Sequence, residues 1–228
     1  MPDITSGKPS PSGSGSGPPG AGGRETEGGT SPGAPTQLPV ELGRSRGTGP
    51  RLGAMASKQV LLLATDLFED MELLYPLYRL KEEGIGVTVA GLDRSPVSGK
   101  KGHGPVEVDA SVDQVAEDDF DALVVPGGYA PDRLRRSKAV LELVRAFDRA
   151  GKPIAFICHA GWVPISAGIL KGRRATSVAV IRDDMVNAGV DWADEETVVD
   201  GNLISARTPA DLGPWMKALL AALEAERA

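Results

Sequence analysis

From residue 58 onward, apolar and polar positions alternate between two kinds of run. Val60, Leu61, Leu62, Leu63 and Ala64 form an unbroken apolar stretch bounded by Thr65 and Asp66, the pattern of a strand covered on both faces. Residues 70–83 then place Met71, Leu74, Tyr75, Leu77, Tyr78 and Leu80 on helical spacing, with Gly84 as the stop. A second short strand follows at 87–90. These segments make one βαβ unit, whose parallel crossover is expected to be right-handed. Residues 99–105 read as a turn-rich hairpin, 121–125 as a buried strand ending in Pro126-Gly127-Gly128, 137–150 as a helix and 154–157 as a strand. Beyond them the pattern predicts a helix over 163–168, a short strand at 175–177 and a helix over 183–188. A β-hairpin over 197–205 that turns at Asp200-Gly201-Asn202 and an amphipathic helix over 211–226 complete the series. The expected architecture is a doubly wound α/β fold, a parallel sheet sandwiched by helices. Its ligand site should lie beyond the carboxyl ends of the strands.

Composition divides the chain of 228 residues in two. Residues 1–56 hold about half of all its glycines and prolines, in runs such as Ser12-Gly13-Ser14-Gly15-Ser16-Gly17-Pro18-Pro19. Such a segment buries too little apolar surface to offset its ordering entropy, so a disordered tail is expected there and a folded domain over 57–228. No stretch approaches the roughly 18 apolar residues of a membrane span, which argues against a membrane partner. The net charge of −6 argues against nucleic acid, because backbone binding needs clustered Lys and Arg. Arg133, Arg135, Arg136 and Lys138 form the one basic run of the domain, read as a solvated helix start. A single cysteine excludes an intramolecular disulfide and suits a reducing cytoplasm. The two histidines, His103 and His159, form no metal-ligand set, and no phosphate loop is present, so neither metal nor cofactor is expected.

That cysteine, Cys158, ends the apolar run Ile154-Ala155-Phe156-Ile157 and is followed by His159, Ala160 and Gly161. A buried strand that ends in a thiol and turns into a helix pins the sulfur at the edge of a parallel sheet. There a helix N-terminus favours the thiolate, and the adjacent imidazole can accept a proton. A buried structural cysteine is the plain alternative. Gly127 and Gly128 follow another strand, and their amides can approach a developing oxyanion together with the amide after the nucleophile. Glu69 and Glu72 are three residues apart at the start of the first helix. One of them could donate to the thiolate when protonated, while the other pairs with a cation such as Lys100.

The segments Phe68-Glu69-Asp70-Met71-Glu72-Leu73, Val125-Pro126-Gly127-Gly128, Ile157-Cys158-His159 and 183–192 together resemble the DJ-1/PfpI family, in particular its PfpI-like branch. The resemblance spans nearly all of 58–223 and none of the tail. It implies a flavodoxin-like sheet related to class I glutamine amidotransferases. Within it Cys158 is the nucleophile at a strained elbow and His159 the base. Glu72, four residues before Pro76, is the thiolate contact, and Glu69 is the partner of Lys100. The resemblance further implies a homodimer or homohexamer with a shared active site, in which Asp132 of one subunit completes the triad of another. Asp132 is one methylene shorter than the glutamate usual at that place, and Val178 stands where several members have a tyrosine. The implied function is stress-protective chemistry on small carbonyl substrates, as a glyoxalase or deglycase. An intracellular cysteine peptidase acting on peptides is the enzymatic alternative, and a non-catalytic redox-sensing stress protein is the alternative of another class.

Overall fold

The computed structural model describes residues 57–225, so the tail expected over 1–56 lies outside the described residues. The chain runs β1 Gln59–Leu63, α1 Asp70–Glu82, β2 Gly86–Gly91, β3 Ala110–Ser111, β4 Ala122–Val125, α2 Ala130–Leu134, α3 Lys138–Arg149, β5 Ile154–Ile157 and α4 Trp162–Ala167. It continues as β6 Arg174–Ala175, α5 Arg182–Asn187, β7 Asp191–Trp192, β8 Thr197–Asp200, β9 Leu203–Ala206 and α6 Leu212–Ala225. One sheet carries the order β3-β2-β1-β4-β5-β9-β8, parallel throughout except for β8, which pairs antiparallel with β9. β6 and β7 form a separate parallel pair.

Side-chain alternation along the strands builds two cores. Val60 and Leu62 of β1 face Leu73, Leu77 and Leu80 of α1 and Trp215 and Leu219 of α6. Leu61 and Leu63 face the other way, against Val140, Leu143 and Phe147 of α3. Burial on both faces is why the central strands read as unbroken apolar runs instead of alternating ones. The predicted hairpin at 99–105 is a loop closed by an antiparallel bridge between Val97 and Val106, not a strand ladder.

Strand order reverses between β1 and β4, so a crevice opens where their carboxyl ends diverge. Three loops meet there. Phe68 bridges to Gly99 on one side and to Gly128 on the other, and its carbonyl accepts the Lys100 N–H at 2.9 Å. Glu69 N–H donates to Gly127 O at 3.1 Å, and Tyr129 N–H to Leu67 O at 2.8 Å. Phe68 itself is fully buried.

Candidate active site

β5 delivers Cys158 to the rim of this crevice. Its φ is +63°, a left-handed conformation that only a few per cent of non-glycine residues adopt. The chain then makes a 3-10 turn over Cys158–Gly161 before α4 begins at Trp162. This elbow turns the chain sharply at the end of β5 while Cys158 itself stays buried, and a strained residue held by well-packed surroundings is a common feature of reacting centres. His159 Nδ1 lies 3.3 Å from Cys158 Sγ. The amides of Gly128 and His159 lie beside the sulfur and favour its thiolate form.

Glu72 reaches the sulfur from α1. It is fully buried; Oε2 accepts the Gly127 N–H at 2.8 Å, and Oε1 has no hydrogen-bond partner. The glycine pair is needed for this approach. A Cβ on Gly127 would stand 2.5 Å from Glu72 Oε2 and 2.7 Å from Cys158 Cβ, and one on Gly128, at φ +82°, would stand 2.4 Å from Glu69 N. One expectation is corrected here: the Gly127 amide is committed to Glu72, which leaves Gly128 and His159 as the amides that face the sulfur.

Glu69 is not on the helix with Glu72 but is its extended N-cap residue. Its carboxylate binds Lys100 at 2.6 Å and Lys101 at 2.8 Å. Burial pushes the Glu69 carboxyl up, but the hydrogen bonds and charges of these lysines outweigh it and hold it low. Asp70 accepts the amides of Lys101 and His103, at 3.0 Å each, which pins the 97–106 loop against α1. Asp132 is on α2, half exposed and paired with Arg136. Within one chain it makes no hydrogen bond to His159. Tyr129 is 63% exposed, with Lys100 Nζ 6.0 Å from its ring centre, and Val178 packs at the edge of both cores. Among the described residues no group of three or more His, Cys, Asp or Glu is placed to hold a metal ion.

The protonation pattern departs from the simple helix-dipole expectation. Burial pushes Glu72 up to about 7, with the Gly127 amide opposing and the Glu69 charge adding to the effect. Burial and the Glu72 charge push the Cys158 thiol up to about 12, against the opposing pull of the His159 and Gly128 amides. The expected thiol of depressed pKa is therefore corrected. A 3-10 turn and a six-residue helix offer little dipole, and they compete with desolvation and a carboxylate at close range. Burial and Lys100 together lower His159.

Sequence reasoning missed a neighbouring cluster. Trp162 stands edge-on to His159, with ring centres 5.2 Å apart and planes at 63°. Its Nε1–H donates to Asp184 Oδ2 at 2.8 Å, and the Arg135 guanidinium lies 5.7 Å from its ring centre. A tryptophan three residues past the histidine, on a helix start, was the available signal. The basic run is not wholly solvated: Arg135 also donates from Nε to Ser166 Oγ at 2.9 Å.

An α/β sheet whose strand ends present a thiol at a left-handed elbow defines a narrow class of proteins. Residues 58–222 match the family model described as the DJ-1/PfpI family, and the chain belongs to that family. It is 51% identical over 159 residues to Deglycase PfpI of Pyrococcus furiosus, a match covering 70% of this chain and 95% of the relative. Protein/nucleic acid deglycase 2 of Escherichia coli is 40% identical over 171 residues, covering 74% and 99%. Among solved structures, Drosophila melanogaster DJ-1beta superposes with a TM-score of 0.69 at 32% identity, covering 75% of this chain and 92% of that one.

Proposed function

We propose that the chain is a cysteine-dependent, stress-protective enzyme of the deglycase or glyoxalase kind that acts on reactive carbonyls through Cys158. The observation that carries this reading is the presentation of the sulfur. It stands at a left-handed elbow between two amide donors, a buried carboxyl and an imidazole. The deglycase names of the relatives support the same chemistry.

Between about 7 and about 12 the Glu72–Cys158 pair holds one proton. That proton rests mainly on the sulfur, the more basic of the two sites, and the reactive arrangement is the minority one in which it has moved to Glu72 Oε1, leaving the carboxyl neutral and the sulfur a thiolate. The thiolate attacks the carbonyl carbon, a C–S bond forms, and the π pair moves to oxygen. Glu72 then supplies its proton, which makes this oxygen a hydroxyl and leaves Glu72 a carboxylate, and the Gly128 and His159 amides stabilise the charge while it exists. His159 carries the proton when the adduct is released.

A shared site is part of the proposal. Asp132 of a second subunit would orient the imidazole in a homodimer or homohexamer; Asp132→Asn should lower turnover with the oligomer intact, and mixing it with Cys158→Ala chains should restore some activity. A cytoplasmic location suits the lone thiol, and among the described residues no helix is long and apolar enough to cross a membrane.

The deciding assay compares wild type with Cys158→Ser on methylglyoxal, a glycated amine and a fluorogenic peptide. Thiol-dependent loss of the first two with catalytic stoichiometry is expected. Thiol-dependent cleavage of the peptide alone would make the protein a peptidase, and no turnover on any substrate would leave a redox sensor.

A further inference from the structure

We propose that Trp162 is the positioning residue of His159, clamped for that purpose by Asp184 and Arg135. The proposal rests on reading Cys158 and His159 as the reacting pair. Neighbouring residues on a turn do not in general point at each other, yet His159 Nδ1 meets Cys158 Sγ at 3.3 Å. Among the described residues of one chain that contact is the imidazole's one hydrogen-bonding interaction, so within the subunit something else must hold the ring before a partner's carboxylate can engage its other nitrogen. The indole does so by packing. His159 lies on the 3-10 turn and Trp162, three residues on, closes it, a spacing at which side chains stack in line. The T-shaped geometry at 5.2 Å lies within the favoured range for aromatic pairs.

Trp162 is in turn held from elements distant in sequence. Asp184 of α5 takes its N–H. Arg135, tied by Ser166 of α4, covers its ring. Gly161 makes the approach of α5 feasible, because a Cβ there would stand 2.8 Å from Met185 Sδ. The Asp184 carboxylate on the N–H and the Arg135 guanidinium over the ring thus converge, from two elements remote in sequence, on the half-buried indole that packs against the imidazole. The charged groups around that ring are Cys158 with Glu72 behind it, Lys100 from the 97–106 loop, and Arg135 and Asp184 on the indole.

The test uses the full chain with 13C-labelled histidine. Two histidines give two imidazole titrations, and His103→Gln assigns them. Trp162→Leu should move the His159 midpoint upward toward the ordinary value of about 6.5 as the ring gains solvent. It should also shift the pH profile of Cys158 alkylation by iodoacetamide. Trp162→Phe, which retains an aromatic edge, should stay near wild type, and Asp184→Ala should fall between. On a carbonyl substrate Trp162→Leu should lower kcat by about tenfold with KM within about twofold, as expected for a misplaced proton-transfer group. A folded Trp162→Leu chain with the wild-type His159 titration and alkylation profile would overturn the proposal. If Trp162→Leu does not fold, an unaltered His159 titration in Asp184→Ala overturns it equally. Both readouts need no carbonyl substrate, so they stand even if the proposed activity is absent.

Discussion

Replacing Glu72 by glutamine isolates the electrostatic cost of the site. Glu72 is buried, and its carboxyl moves from 4.5 to about 7 on folding, which corresponds to about 3 kcal/mol once the group is ionised in the folded chain. Because the folded value is raised, the associated stability is fully present below 4.5 and is lost as pH rises through about 7. Wild type should therefore lose this increment across that window, and Glu72→Gln should not. Glutamine keeps an oxygen for the Gly127 amide but adds an amide group beside the sulfur, an imperfect fit costing about 1 kcal/mol. The variant should thus be more stable than wild type by about 2 kcal/mol at pH 8 and slightly less stable at pH 4.5. Urea unfolding of both chains at intervals between these pH values measures the difference. Glu69 and Asp70, both held low, produce a slope of the opposite sign, but it is common to the two chains and cancels. A difference constant to within about 0.5 kcal/mol across the window, less than ordinary surface effects, would refute the burial argument.

Gly128→Ala should cost about 3 kcal/mol in stability, since strain at φ +82° adds to a 2.4 Å clash with Glu69 N. Gly151→Ala, at φ +71° with open space around it, should cost only about 1 kcal/mol, and paired thermal melts measure both. Lys100→Met should raise the His159 midpoint, followed by histidine NMR, because the Lys100 charge is one of two causes lowering it. A chain starting at Met55 should retain the melting temperature and carbonyl activity of the full sequence, as the composition of residues 1–56 implies; aggregation or lost activity would give the tail a role.

Apolar runs exposed most of the fold in the sequence, and they did so because β1, β4 and β5 are buried on both faces. β3, β6 and β7 have two residues each, too few to show a period, and α2 has five with Pro131 inside it. The pairing of Glu69 with Lys100 and the approach of Glu72 to the thiol follow from spacing and local charge. Whether the thiol is raised or lowered does not, because that sign depends on burial and on a carboxylate brought in from another element. The commitment of Gly127 to Glu72 was hidden for the same reason: residues 72 and 127 become neighbours only when the loops after β1 and β4 converge. Arg135 and Asp184 are remote in sequence, and the fold alone joins them at Trp162.

The knot of main-chain contacts at Phe68 has a consequence for how the molecule can change. Since the loops after β1 and β4 and the 97–106 loop are tied through one buried residue, they should open together, and the amides of Glu69, Lys100 and Tyr129 should exchange with deuterium as one unit. An insertion in any of the three would disturb all. The turns at Gly84, Gly151 and Gly201, at the opposite edge of the sheet, touch none of this machinery. A change of loop length there leaves the reactive rim in place.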